Sequence, residues 1–342
     1  IHDAQKLILP PYYPDTPKAR EAWAAYYDIV TITDQRIGEL LQEIDDAGLR
    51  DETIVLFWGD HGVGLARGKR WLYDSGVKVP LIVRWPGKIE PGSVRLDLVQ
   101  FLDLAPTMLA LADVPKPDYM QGRVILGDRT EAEPRYLFHE RDRMDERFDI
   151  MRAVRDRRYK YIRNFESHKP WVQFMRTPSQ GPMYQELGKL KDEGKLDQLT
   201  APFMEKTKPY EELYDTLVDP YEMHNLADDP DYAARLETMR DALVDWMMRT
   251  GDVGLVPEPE TLRSMYPHNK RERMAPPTAE TIAGGKVKLS AAEDASIAYT
   301  FDEGKQPHWS VYTAPVAVPQ GKHLRAIAVR LGYSDSEPVV AP

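Results

Sequence analysis

The chain has 342 residues, a formal net charge of −10, 42% apolar and 29% charged residues, and no cysteine. This balance is ordinary for a globular protein that is long enough for two or three domains. The absence of cysteine excludes disulfides, thiolate metal sites and cysteine nucleophiles from this chain. The acidic balance disfavours nucleic acid as a partner, and no apolar run approaches the ~18 residues of a membrane span.

The first part of the chain predicts one long helix followed by two buried strands. Thr16 and Pro17 suit the N-cap and the first helical position, and Gly48 suits the C-cap. The runs TIVLFW at 53–58 and VPLIVRW at 79–85 are apolar throughout, which is typical of parallel strands covered by helices on both faces. We therefore expect an α/β sandwich.

Shorter elements follow, and their apolar residues are spaced as in antiparallel strands and amphipathic helices. In chain order we expect a short helix at 103–112, a strand pair at 152–163, an irregular or helical surface segment at 170–210, a strand and an Asp219-Pro220 turn within 212–230, a helix at 231–249, and short β segments beyond 281. These elements predict a smaller antiparallel α+β subdomain and a small β-sandwich at the C-terminus.

The expected organisation has four parts. Residues 1–130 form the α/β region, residues 131–250 the α+β subdomain, and residues 281–342 the β-sandwich. Residues 251–280 contain many prolines and no hydrophobic periodicity, so we expect a linker there.

The stretch WGDHGVGLARGKRWLYDSGVKVP, at 58–80, places polar side chains just beyond a predicted strand. Asp60 and His61 follow the apolar run directly, and Lys69 comes next in a Gly-Lys step. Because ligands of open α/β sheets bind beyond the carboxyl ends of the strands, we interpret these residues as a candidate site. The alternative interpretation is an ordinary turn with a solvated lysine.

This stretch resembles the C-terminal half of the sulfatases of the alkaline-phosphatase superfamily. Their pattern Gly-Lys-x-x-x-Tyr-acid-x-Gly-x-x-x-Pro is met by Gly68, Lys69, Tyr73, Asp74, Gly76 and Pro80. The later stretch LYDTLVDPYEMHNLADDP is similar to the family motif LYDL-x-x-DP-x-E-x-x-NL. The segments LPPYYPDTP, HERDRMDE and MRAVRDRRYKYIRNF are most similar to the heparan N-sulfatase (sulfamidase) branch. Residues 281–342 resemble the chitobiase/fibronectin-III-associated domains that bacteria append to carbohydrate-active enzymes.

The resemblance implies an alkaline-phosphatase-like α/β sandwich that hydrolyses sulfate esters or sulfamates of a sulfated glycan, such as a glycosaminoglycan. The family uses one Ca²⁺ and a formylglycine nucleophile. Asp60 then corresponds to a carboxylate that binds Ca²⁺, a cation that prefers oxygen ligands. His61 corresponds to a neighbouring position that binds the metal or contacts the sulfate. Lys69 corresponds to the basic residue that reaches a sulfate oxygen as a fixed positive charge.

Further substrate contacts are expected from basic residues near these positions. Arg70 follows Lys69 directly and could assist it. The segment HERDRMDE at 139–146 is expected to be a charged loop near the sugar, with His139 and Arg143 as substrate-binding candidates. The alternative is an ordinary salt-bridged surface loop. Four other histidines are expected to be structural or exposed: His2, His168, His224 and His268.

The resemblance is incomplete at the nucleophile. The family motif, Cys or Ser followed by x-Pro-x-Arg, does not occur in this sequence. The aldehyde and the remaining metal ligands would then belong to an N-terminal part of the same sulfatase, either missing here or present as a separate polypeptide. Without the aldehyde we expect this chain alone to be inactive. A sheet without its central strands would expose 53–58 and 79–85, so we also expect the chain alone to be poorly stable. The substrate class favours a periplasmic or extracellular location.

Two other functions stay open from the sequence. A phosphodiesterase or phosphonate hydrolase of the same superfamily would share the fold, but such enzymes usually use more His and Asp ligands around transition metals. A non-catalytic carbohydrate-binding protein would use residues 281–342 as its binding module. The Asp-His pair with a following Gly-Lys step favours the sulfatase.

Overall fold

The computed structural model describes residues 1–266, 270–292, 295–304 and 306–341, so that His268 lies outside the described residues. The chain divides into two compact units, Ile1–Asp252 and Val253–Pro342. The elements of the first unit are α1 (Pro17–Asp46), β1 (Val55–Trp58), α2 (Asp74–Val77), β2 (Leu81–Arg84), α3 (Leu104–Leu111), β3 (Leu137–Met144), β4 (Arg147–Arg155), β5 (Tyr159–Asn164), α4 (Arg176–Ser179), α5 (Pro182–Asp192), β6 (Glu211–Asp215) and α6 (Ala233–Thr250).

The long helix α1 begins and ends where the sequence predicts. The hydroxyl of Thr16 accepts a hydrogen bond from the backbone N–H of Ala19, and Pro17 occupies the first turn. Gly48 lies just past the last turn in the left-handed region, with φ 71°. The first half of α1 buries Trp23 in the core, whereas Leu40 in the second half is exposed. None of the helices in the described ranges is long and apolar enough to cross a membrane.

The strands β1 and β2 pair with each other in antiparallel fashion, from Val55 opposite Arg84 to Trp58 opposite Leu81. The expectation of parallel strands is therefore wrong for this pair. A parallel pair needs a long crossover, usually a helix on one face of the sheet. The connection here is a folded loop that contains only the one-turn helix α2. Both strands are only partly buried, and Ile82 is 61% exposed.

The strands β3, β4, β5 and β6 form an antiparallel sheet in that order. The register places alternate residues on opposite faces, so that Ala153 and Ile162 share one face while Val154 and Tyr161 share the other. The first face packs against the loop that follows β1, and the second packs against α6 through Met239. The predicted antiparallel α+β region, with its strand pair at 152–163, is confirmed.

Two local expectations within this unit are wrong. The segment 139–146 is not a charged loop, because most of it forms β3 and the hairpin turn that leads to β4. The segment 170–210 is not confined to the surface, because it contributes Met175, Met183 and Leu187 to the core, each with 1% exposure or less. Its apolar residues are embedded in a Lys- and Glu-rich context, which hides their periodicity.

The second unit contains two small antiparallel sheets. Its elements are α7 (Glu258–Met265), β7 (Thr278–Ile282), β8 (Lys286–Ser290), β9 (Ser296–Thr300), β10 (Ser310–Val311), β11 (Val316–Ala317), β12 (Leu324–Val329) and β13 (Val339–Ala341). The sheets have the strand orders β11-β8-β7 and β10-β9-β12-β13. Leu289 of one sheet and Ala326 of the other belong to the same buried cluster, as expected for a β-sandwich. The predicted linker contains α7, and the division into four parts stays a prediction.

Candidate functional site

The loop 59–80 connects β1 to β2 and carries the sulfatase-like motif. Its base is closed by a hydrogen bond from the Gly59 N–H to the Pro80 carbonyl at 3.3 Å. Inside the loop, the Gly62 N–H donates to the Gly76 carbonyl at 2.9 Å, and the Lys69 N–H donates to the Val63 carbonyl at 2.7 Å. The loop is therefore folded back on itself and is not an open excursion.

The motif glycines are needed because the backbone of this loop packs on itself at close range. A Cβ atom at Gly62 would lie 1.9 Å from the Ser75 carbonyl oxygen, and one at Gly68 would lie 2.1 Å from the Val63 carbonyl oxygen. Any side chain at either position would force the backbone apart. The spacing of glycines in the motif thus reflects the packing of the loop that carries Lys69.

Backbone strain is concentrated around the same loop. In the described part of the chain five non-glycine residues have positive φ, and four of them lie in the loop or contact it: Arg67, Arg70, Asp145 and Glu222. Asp145 accepts a hydrogen bond from Arg70 Nε at 2.8 Å, and the Glu222 carbonyl accepts one from Arg67. Strained backbone persists where surrounding contacts hold it, and it is common at functional sites.

Asp60 and His61 lie together at the end of β1. The Asp60 side chain is 85% exposed, and its Oδ2 is 3.5 Å from His61 Nε2. His61 Nδ1 is 2.8 Å from the Gly62 carbonyl, which can only accept, so Nδ1 donates and Nε2 can keep a lone pair. The Asp60 carboxylate oxygen and the His61 imidazole nitrogen are close enough to bind the same cation.

These two side chains fit part of a Ca²⁺ site. Calcium takes about six to eight ligands, mostly oxygens, and Asp60 supplies an exposed carboxylate of the right kind. Among the residues that the structure describes, no cluster of three or more His, Cys, Asp or Glu side chains could hold a metal ion. A calcium ion at Asp60 would therefore need further ligands from outside this part of the chain.

Lys69 is half-buried, and its ammonium group has no hydrogen bond or ion pair within the described ranges. Two other lysines of this unit are fully buried and paired: Lys160 with Asp74 and Glu222, and Lys208 with Asp149. The positive charge of Lys69 is thus available to a ligand, whereas the charges of the buried lysines are committed to the fold.

The remaining predicted residues have different surroundings. Arg70 remains beside Lys69, but its guanidinium is bound to Asp145 in the β3–β4 turn. His139 lies on β3 near Lys160 and Asp74, and its buried Nε2 has no hydrogen-bond partner in the described structure. Burial and the nearby Lys160 lower the pKa of His139 to about 3, so the ring is neutral near pH 7.

Arg143 is an exposed residue of β3 and has a partner. The structure therefore brings Asp60, His61, Lys69 and Arg70 onto one loop, and it places His139 beneath that loop. The other histidines predicted to be structural or exposed, where the structure describes them, lie on the surface or in a surface pair. His168 and His224 are mostly exposed, and His2 is paired with Asp28.

The sequence analysis missed the residues that hold the loop from below. Glu212 of β6 accepts hydrogen bonds from the hydroxyls of Tyr73 and Tyr214 at 2.7 and 2.6 Å, and from Asn164 Nδ2 at 2.6 Å. Burial raises the pKa of Tyr73 well above its ordinary value, so this hydroxyl stays protonated and donates. One signal in the sequence could have identified them. Residues two apart in a strand share a face, so Lys160 lies on the same core-facing side of β5 as Ile162 and indicates a polar group in the interior.

Comparisons with known proteins show which families and proteins this chain is similar to. Residues 59–206 match the family described as N-sulphoglucosamine sulphohydrolase, C-terminal, and residues 276–340 match the chitobiase/beta-hexosaminidase C-terminal domain. An ulvan-active sulfatase of Formosa agariphila is 35% identical over 339 residues, which are 98% of this chain and 57% of that protein. Human N-sulphoglucosamine sulphohydrolase is 32% identical over 73% of this chain and 52% of its own length.

A solved structure shows the same fold. The structure of BT1596, a 2-O GAG sulfatase, superposes with a TM-score of 0.52 at 23% identity, and the match covers 74% of this chain and 51% of that chain. The chain is therefore similar to the sulfatases along almost its whole length. Within the first unit, residues 59–206 correspond to the C-terminal portion of the N-sulphoglucosamine sulphohydrolase family, and the match to a chitobiase-type domain follows. The chain spans about half the length of the curated relatives that it matches.

Substitution of Gly68 by alanine tests the packing of the loop. We expect Gly68→Ala to lower the free energy of unfolding by about 1–3 kcal/mol, because the new Cβ meets a carbonyl oxygen 2.1 Å away. Gly64→Ala in the same loop has nothing within 4 Å of its Cβ and should change stability little. Urea unfolding of the full-length protein measures both. Equal effects of the two substitutions would contradict the close backbone packing described at Gly68.

Proposed function

We propose that the protein to which this chain belongs is a sulfuric ester or sulfamate hydrolase that acts on a sulfated glycan. The observation that carries this proposal is the ammonium of Lys69, unpaired among the described residues, on a tightly packed loop that also holds Asp60 and His61. The similarity to an ulvan-active sulfatase and to N-sulphoglucosamine sulphohydrolase supports a polysaccharide or glycosaminoglycan as the substrate class. An extracytoplasmic location, periplasmic or extracellular, follows from such a substrate.

Lys69 would bind the sulfate group of the substrate. Its ammonium donates hydrogen bonds to a sulfate oxygen, and the positive charge offsets the negative charge that gathers on the leaving atom as the bond to sulfur breaks. The backbone hydrogen bond to Val63 and the flanking strained residues hold the loop in place, so little reorganisation is needed when the substrate binds. Preorganised charges of this kind are more effective than mobile ones.

Asp60 and His61 would provide two of the ligands of the family's calcium ion, with the others coming from an N-terminal part of the protein. When bound, this cation supplies further positive charge beside the sulfate oxygens. The formylglycine nucleophile would also lie in that N-terminal part. Arg70 and Arg143 are proposed to contact acidic groups of the glycan. His139 is also proposed to contact the substrate, as an uncharged ring beneath the loop.

We also propose that the N-terminal part of the same sulfatase covers the outer face of α1 and β1. An open groove of about 530 Å³ lies between these elements. Its lining is almost entirely apolar: Ile37, Leu40, Leu41, Ile44, Ala47, Leu49, Val55, Leu56 and Phe57, with Glu43 as the charged exception. Contiguous exposed apolar surface next to a short strand pair is typical of a surface that another element covers.

Replacement of Lys69 tests the sulfatase proposal directly. In the full-length protein, we expect Lys69→Ala to lower kcat/KM for sulfate release from a sulfated oligosaccharide by about 100- to 1,000-fold, because a charge that stabilises the transition state is lost. Lys88→Ala, at an exposed lysine outside the loop, should leave kcat/KM unchanged. Sulfate release measured by ion chromatography decides the matter. A Lys69→Ala variant as active as the Lys88→Ala control would exclude the proposed role.

Removal of the Asp60 carboxylate tests the calcium proposal. We expect Asp60→Asn to weaken Ca²⁺ binding by the full-length protein by about tenfold or more, because an ionised oxygen ligand becomes neutral. Asp113→Asn is the matched control. Asp113 is also an exposed carboxylate, but it lies outside the loop 59–80 and pairs with Arg129. Isothermal titration calorimetry gives the affinities. Unchanged calcium affinity in Asp60→Asn would remove Asp60 from the metal site.

The proposal that an N-terminal part covers the apolar groove between α1 and β1 can be tested with the present chain alone. We expect residues 1–342, expressed without the rest of the protein, to self-associate or unfold without a sharp transition, because the apolar groove between α1 and β1 is open. Leu40→Lys, in the groove, should reduce the self-association, whereas Leu331→Lys, at an exposed site of the second unit, should not. Sedimentation velocity and thermal unfolding measure these properties. A monomer with a sharp unfolding transition would contradict the proposal.

A further inference from the structure

One residue of the late motif, Glu222, contacts both ends of the segment that carries Lys69. Its backbone carbonyl accepts a hydrogen bond from Arg67 Nη2 at 2.5 Å, before Lys69 in the chain. Its side-chain Oε2 accepts a hydrogen bond from the Asp74 N–H at 2.6 Å, after Lys69 in the chain. Arg67 Nη1 also donates to the Tyr221 carbonyl at 2.6 Å. The segment 67–74 is therefore held at its two ends by the same turn.

The Glu222 carboxylate is fixed in turn by a buried lysine. Lys160 Nζ is 2.8 Å from Glu222 Oε1 and 2.5 Å from Asp74 Oδ1, and it donates to the Leu72 carbonyl at 3.0 Å. Lys160 is fully buried and Glu222 is 1% exposed. Arg155 adds a contact to Asp74 Oδ2 at 3.1 Å. In such a site the charges depend on one another, because loss of one leaves another buried without a partner.

Packing fills the space between these polar contacts. The Arg67 guanidinium lies 3.9 Å from the centre of the Tyr73 ring and 4.9 Å from that of Tyr12. Glu222 itself adopts a φ of 54°, a conformation that costs energy for a residue with a side chain. The contacts at both ends of the segment 67–74 therefore hold Glu222 in a conformation that is unfavourable for the residue by itself.

We propose that Glu222 is a positioning residue, which holds both ends of the segment 67–74 and thereby positions the Lys69 ammonium. This inference rests on the proposed function, in which Lys69 binds sulfate. Glu222 touches neither the substrate nor the reacting atoms in this proposal, since it acts through Arg67, Asp74 and Lys160. It couples the late sequence motif to the Gly-Lys step, so that the two motifs form one structural unit.

The first measurement is hydrogen exchange in the full-length protein, and it needs no activity. We expect Glu222→Gln to increase exchange of the Lys69 and Gly62 amides by about tenfold or more, because the loop opens more often. The amides of β5, such as that of Ile162, should be unaffected. Asp149→Asn is the matched control: it breaks the equally buried pair with Lys208, which makes no described hydrogen bond or ion pair to the segment 67–74. Unchanged loop exchange in Glu222→Gln would overturn the proposal.

The second measurement is a double-mutant cycle on sulfate release. We expect Glu222→Gln to lower kcat/KM by about 100-fold in the wild-type background and to cost little further activity in the Lys69→Ala background. Asp149→Asn should lower the melting temperature with little change in kcat/KM. Additive effects of the two substitutions would overturn the proposal, because Glu222 would then act independently of Lys69. If the wild-type protein releases no sulfate, the proposed function fails, and the exchange measurement still decides whether Glu222 holds the loop.

Discussion

The buried ion pairs of Lys160 with Asp74 and Glu222 are the interaction on which the candidate site depends. Taking charged groups out of water is expensive, and the cost is offset only when partners are close and the geometry is good. Burial opposes the ionisation of Asp74, but Lys160 and Arg155 outweigh it and lower the pKa of Asp74. The cluster thus ties the loop after β1 to a sheet that begins far later in the chain, and it does so with directional contacts.

This arrangement explains how an acidic protein presents a cationic site. Three acids in or beside the loop are already paired with cations: Asp74 and Glu222 with Lys160, and Asp145 with Arg70. Lys69 has no such partner in the described structure, so its charge is available to a ligand. The net charge of −10 therefore says little about the site, because local pairing decides which charges a bound anion meets.

The sequence patterns were informative where the physical cause is local. The boundaries of α1 follow from Thr16, Pro17 and Gly48, and the amphipathic helix α6 and the strand pair at 152–163 follow from their periodicities. The predicted direction of β2 is wrong, because an apolar run reports burial but not the direction of its neighbour. Burial of the segment 170–210 escaped prediction, since the surface that covers Met183 is built from distant parts of the chain.

For the candidate site, the sequence by itself determined which residue types are present, and the glycine spacing determined that Lys69 lies in a tightly folded loop. A motif can do this because close backbone approach tolerates only glycine at particular positions. Only the tertiary structure decided that Glu222 and Lys160 hold that loop, that Arg70 is engaged by Asp145, and that His139 is neutral. The reason is that pairing and desolvation of charges depend on distances between residues far apart in the chain, which no local pattern encodes.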